Sequence, residues 1–72
     1  MKTYYNHFQS ARRYRIKVLL FRLTQLNNLF ILTDSDIQEI ENINKVLQRE
    51  YHLFNMLMQR DIDYKTFINM FR

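Results

Sequence analysis

An all-α fold is what this sequence predicts: a small bundle of three or four helices around a long central one, dimeric or bound to a partner. The 72 residues contain no Gly and no Pro, whereas average usage of about 7% and 5% would supply several of each. Primed β-hairpin turns depend on residues that take positive φ, so a glycine-free chain argues against a meander of strands. Apolar residues also return every three or four positions along most of the chain, the period of a helix that buries one face. Finally, two segments carry helix-start grammar, Leu32-Thr33-Asp34-Ser35-Asp36-Ile37 and Ile62-Asp63 with Phe67 behind it.

The chain reads as one domain over residues 1–72, with helices expected at 3–10, 11–30, 34–59 and 63–71. In the first part, Tyr4, Tyr5, Phe8 and Ala11 form a short apolar patch. From Ile16 a second row follows through Leu19, Leu20, Leu23, Leu26 and Phe30. The two rows do not share one stripe, which predicts a bend or break between Gln9 and Tyr14 with Ser10 as an N-cap. At the next boundary Thr33 should accept from the backbone N–H of Asp36, with the Asp36 carboxylate reaching back in a capping box. Leu32 and Ile37 then flank it as a hydrophobic staple. The long helix that starts there carries Ile37, Ile40, Asn44, Leu47, Tyr51, Phe54 and Met58 at helical spacing, with Ile43, Val46, Leu53 and Leu57 as a second row. So wide an apolar face predicts two neighbours for this helix. Asn44 interrupts the stripe at a position where a buried Asn would set register or partner number. In the last element Asp63 is the expected cap and Ile62 with Phe67 the staple. Tyr64, Phe67, Ile68 and Phe71 then line one face.

A chain this short buries only about 60% of the surface that it exposes when unfolded. It has no Cys for a disulfide, so packed helices or a partner must supply the stability. Six Phe, five Tyr and four Met are generous for the length, and a surplus of large apolar side chains points to association. The expected partner or dimer interface is Asn44, Leu47, Tyr51, Phe54 and Met58. The longest uninterrupted apolar runs, 18–21 and 29–32, fall far short of the ~18 residues of a membrane span. The N-terminus lacks the apolar region of a signal peptide, so a cytoplasmic protein is expected.

Charge is unevenly placed. The net charge is +4, yet residues 1–22 hold Lys2, Arg12, Arg13, Arg15, Lys17 and Arg22 without one acid. The middle holds Asp34, Asp36, Glu39, Glu41 and Glu50 against Lys45 and Arg49. Such polarity favours an anionic partner or head-to-tail self-association. Within it, Arg12-Arg13-Tyr14-Arg15-Ile16-Lys17 sets four cations around a helix with an aromatic among them. Phosphate contacts from Arg12, Arg13, Arg15, Lys17 and Arg22, with Tyr14 free to stack, form the functional expectation. A solvated basic face that balances the acidic second helix explains the same residues equally well.

Catalytic and metal chemistry find little to work with. Phosphate-cradling Gly loops and thiolate metal sites are excluded by composition. Ser10 and Ser35 are the only serines, and His7 and His52 stand 45 residues apart without a zinc-type neighbour set. Asp34/Asp36 and Asp61/Asp63 sit at expected helix starts, where capping accounts for them. Residues 61–71 look like the exit half of an EF-hand, but Thr66 stands where a bidentate Glu is needed and no central Gly precedes it. No enzyme, metal, cofactor or small-molecule substrate is expected.

One family likeness emerges from these residues. The segment Phe30-Ile31-Leu32-Thr33-Asp34-Ser35-Asp36-Ile37 resembles the aromatic-x-Leu-Ser/Thr-Asp-x-acid-Leu segment of the Hha/YmoA family, small all-helical modulators associated with the bacterial nucleoid. The opening Lys2-Thr3-Tyr4-Tyr5 is similar to that family's Lys-Thr-x-Tyr start. Arg49, Leu53, Met58, Ile62 and Phe67 follow its closing Arg, Leu, Leu, Ile and Trp. The likeness spans nearly the whole chain, with insertions of two or three residues. It implies a non-enzymatic modulator of gene expression that acts through a protein partner, with the basic N-terminal face toward nucleic acid. In the family, acids of the second helix engage H-NS-type silencing proteins. Here Lys17 and Val18 stand in their place, so the partner contacts must differ. A fainter echo of the sporulation phosphatase-regulator hairpin lacks its Ser-x-x-x-Asp signature around Glu41 and Lys45. The alternative reading is a phage- or plasmid-type helical interaction protein that occupies a host protein through its aromatic and Met surface, without nucleic acid. A third, minor one is peripheral attachment to an anionic membrane through the basic helix.

Overall fold

Three helices account for the described chain: α1 (Lys2–Asn27), α2 (Asp34–Met58) and α3 (Tyr64–Phe71). The computed structural model describes the backbone of residues 2–72 and the side chains from residue 10 onward. The expected patch of Tyr4, Tyr5 and Phe8, with Lys2 and His7, lies outside the described side chains.

The break expected near Ser10 is absent, since α1 runs unbroken from Lys2 to Asn27. Residues 11–13 and 15, Ala and three Arg, are among the better helix formers. Within the described part of α1, apolar residues occupy two faces of the helix. Ile16, Leu20 and Leu26 are buried, whereas Tyr14, Val18 and Phe21 are exposed. The helix stops at Asn27, three residues short of the expected end. The Asn28 N–H is shared between the Thr24 and Gln25 carbonyls at 3.1 and 3.2 Å, and Leu29 N donates to Leu26 O at 3.2 Å. That tightened last turn leaves residues 29–32 as the connector.

The start of α2 follows the expected capping box. Asp36 N donates to Thr33 Oγ1 at 3.2 Å, and Thr33 N donates to Asp36 Oδ2 at 3.0 Å. The staple expected to flank it does not bury its partners: Leu32 and Ile37 stay 40% and 45% exposed. At the other end Gln59 adopts φ 52°, ψ 46°, left-handed backbone in a residue that carries a Cβ. The Arg60 N–H reaches Asn55 O at 3.0 Å and Gln59 N–H reaches Met56 O at 3.4 Å. These two bonds make a Schellman stop without the usual glycine.

α1 and α2 are antiparallel, since Arg12 meets Glu50 while Arg22 meets Glu39. α3 packs against both, which provides the two neighbours expected for α2. The molecule measures 46 × 22 × 17 Å, close to the ~39 Å that 26 helical residues span. Ile16, Leu20 and Leu26 meet Ile43 and Leu47, and α3 closes one side with Phe67, Ile68 and Phe71. Phe67 has no exposed surface. Its ring lies 5.5 Å from Tyr51, 5.4 Å from Phe54 and 5.0 Å from Phe71, tilted or edge-on to each, in the arrangement aromatic quadrupoles prefer.

Two sequence expectations need correction here. Asn44 does not interrupt a buried seam; it is exposed. The buried residues of α2 are Leu47 from the expected row, Ile43 from its second row, and Glu50 from neither, with Ile40, Tyr51 and Phe54 packed beside them. The assigned partner interface is likewise largely internal. Leu47 is fully buried by the chain's own helices, and Tyr51 and Phe54 pack on α3. Met58 is half-buried. Residues already covered by their own molecule have little left to offer another.

Candidate binding surfaces

The connection between α2 and α3 is held by a polar clamp. Tyr51 Oη donates to Ile62 O at 2.7 Å. Asn55 Nδ2 donates to the same carbonyl at 3.1 Å, while Ile62 N donates back to Asn55 Oδ1 at 3.4 Å. Asp63 occupies the cap position of α3, but it makes no side-chain bond to the backbone there. Its carboxylate accepts instead from the Thr66 hydroxyl, a bond that holds the carboxyl below its ordinary range. The staple half of the expectation holds, since Phe67 is buried and Ile62 packs against the core. Burial pushes the Tyr64 hydroxyl upward.

The six residues assigned to nucleic acid separate into two groups. Arg12 points into the helical seam, where Nη1 reaches both oxygens of Glu50 at 2.7 Å. Arg22 reaches across to Glu39, with Nε 2.6 Å from Oε2 and Nη2 3.0 Å from Oε1. That fork holds the Glu39 carboxyl below its ordinary value and raises the guanidinium. Both residues are thus committed to the chain's own carboxylates. Arg13, Tyr14, Arg15 and Lys17 are exposed, and no described carboxylate pairs with the three cations. The Arg13 guanidinium lies 5.8 Å from the Phe71 ring centre, within cation–π range.

Glu50 is what the sequence reading missed. It lies three residues after Leu47 and seven after Ile43, so helical spacing puts it on the buried stripe. An acid at such a position needs a cation across the seam, and Arg12 is that cation. Asn55 gave no comparable signal, because its role depends on where the chain returns.

Two surface features remain. Tyr14, Val18 and Phe21, spaced four and three apart, share the face of α1 opposite its core residues and are 73%, 48% and 67% exposed. Arg15 and Lys17 flank that row on its two sides. The connector 29–32 is the second: Leu29, Phe30, Ile31 and Leu32 are all exposed, and Phe30 is as open as in an extended chain at 101%. Beside it an open groove of about 540 Å³ is lined by Leu20, Phe21 and Phe71, by Lys17 and Arg72, and along α1 as far as Asn28.

Among the described residues no group of three His, Cys, Asp or Glu is placed to hold a metal ion, and no helix is long and apolar enough to cross a membrane. In comparisons with family models, curated proteins and solved structures, the chain matches none.

Proposed function

We propose that this chain is a non-enzymatic regulatory protein that works by surface contact, of the kind that the Hha-type resemblance implies. The exposed side of α1 faces nucleic acid, and a protein partner completes the assembly. The observation that carries this reading is the exposed cluster Arg13, Tyr14, Arg15 and Lys17, three cations and an aromatic within about one helical turn with no described acid against them. Cations so placed neutralise phosphates and release counterions, and Tyr14 is exposed enough to stack on an unpaired base. Arg12 and Arg22 belong to the fold, and the phosphate contacts reduce from five to three.

Fluorescence anisotropy on duplex DNA and RNA tests the proposal. Three contacts on duplex DNA give a log–log salt slope of about −2.7, whereas five would give about −4.5. Arg15→Gln with Lys17→Gln should flatten the slope, while Arg22→Gln should leave it unchanged. Absence of binding at ~50 mM salt rejects the nucleic-acid role. A second reading, an interaction protein that acts on another protein alone, draws on Val18 and Phe21, apolar neighbours of the same cations. It expects Phe21→Ser to abolish activity in a preparation that never binds nucleic acid.

A further inference from the structure

The connector 29–32 is an apolar tip: Phe30 and Ile31 stand on solvent, while Leu29 and Leu32 are about half covered by their own chain. Four consecutive large side chains on solvent are unusual in a small soluble molecule, and Phe30 has no internal contact area to lose. Asp34, exposed at the start of α2, gives the tip a negative shoulder. The groove beside it has the opposite character: Leu20, Phe21 and Phe71 supply apolar surface, and Lys17 and Arg72 positive charge.

We infer that the occupant of this groove is the 29–32 tip of a second copy, with Phe30 seated between Phe21 and Phe71 and Asp34 beside Lys17. The charge pattern selects this occupant. An anionic membrane would meet the acidic shoulder of the tip unfavourably, whereas the groove presents the complementary sign. Adjacency makes the exchange reciprocal. Asn28 is the last residue on the α1 side of the groove lining, and the tip begins at the next residue. Two copies related by a two-fold axis therefore seat both tips at once, and the contact closes as a dimer instead of continuing as a filament. Residues 17–28 span about 17 Å of helix, so the two hairpins overlap end to end over that length. Arg13, Tyr14 and Arg15 lie beyond the overlap. The two proposals share Lys17, which the dimer pairs with Asp34; Arg15→Gln, outside the overlap, tests the nucleic-acid role alone and Phe30→Ser the dimer alone.

Sedimentation equilibrium on the full chain provides the test. A dimer is expected, and Phe30→Ser should weaken it about tenfold or more, with helicity unchanged because the side chain lies outside the core and Tm lowered only by the lost association. Lys17→Glu should weaken it too, and adding Asp34→Lys in the same chain should restore it. In an isotope-mixed sample, filtered NOEs should connect the Phe30 ring of one copy to Phe71 of the other. A chain that stays monomeric at NMR concentrations overturns the inference, whether or not its tip then binds anionic vesicles. A dimer indifferent to Phe30→Ser overturns it as well.

Discussion

Arg12 Nη1 lies 2.7 Å from both carboxylate oxygens of Glu50, and Glu50 retains only 7% of its surface. The pair crosses from α1 to α2 beside the apolar seam, so it selects one alignment of the two helices over neighbouring ones. Breaking a buried pair costs more than making it gains, because the surviving charge keeps its desolvation penalty. Arg12→Leu should therefore destabilise the fold by roughly 3 kcal/mol. Arg12→Leu with Glu50→Leu should return to about wild-type stability or above. Urea unfolding in a double-mutant cycle measures both. A single-variant cost under about 0.5 kcal/mol would put the pair with ordinary surface bridges.

Gln59 adopts left-handed backbone that glycine takes without a Cβ penalty. Gln59→Gly should raise stability by about 0.5–1 kcal/mol, read as a higher urea midpoint with the same m-value. At the opposite end of α2, Thr33→Ala removes half of the capping box and should cost about 1 kcal/mol. The two changes act at separate sites and should add.

The Arg22–Glu39 bridge makes a distinct pH prediction. Hydrogen bonds from Arg22 hold the Glu39 carboxyl below its ordinary value of 4.5. A depressed carboxyl contributes its stability above the unfolded-state value and loses it as pH falls through the folded value. Wild type should therefore exceed Glu39→Gln in urea midpoint at neutral pH, with the gap shrinking below pH 4.5. The gap should also narrow with added salt, since both side chains are exposed. A gap that widens in acid would contradict the assignment.

Asn44 and Leu47 belong to one expected stripe, and the structure buries only Leu47. Leu47 is fully buried and Asn44 exposed. Leu47→Ala should cost about 2–5 kcal/mol, whereas Asn44→Ala should stay within about 0.5 kcal/mol of wild type. If Asn44→Ala instead shifted the self-association equilibrium, Asn44 would regain its place at an interface.

Local signals in this chain were legible because they act within one turn. Thr33 and Asp36 sit three residues apart and satisfy each other's backbone N–H groups wherever the helix goes. The absence of glycine and the three-and-four spacing of apolar residues likewise lead to helices without reference to any neighbour. Such spacing leaves the orientation of a broad apolar face open by about one residue's rotation. On α2 the rows through Ile43 and through Asn44 differ by only that much, and the structure buries Ile43 from one and Leu47 from the other.

Packing resolved the ambiguity. α3 folds back onto Tyr51 and Phe54 and takes them from the solvent side, so residues assigned to a partner became interior. The same holds for charge. Six basic residues in the first 22 read as a single electrostatic feature, but antiparallel pairing gave Arg12 to Glu50 and Arg22 to Glu39. Those pairs join residues 38 and 17 positions apart. Contacts at such range depend on where two helices lie in space, which no local pattern encodes.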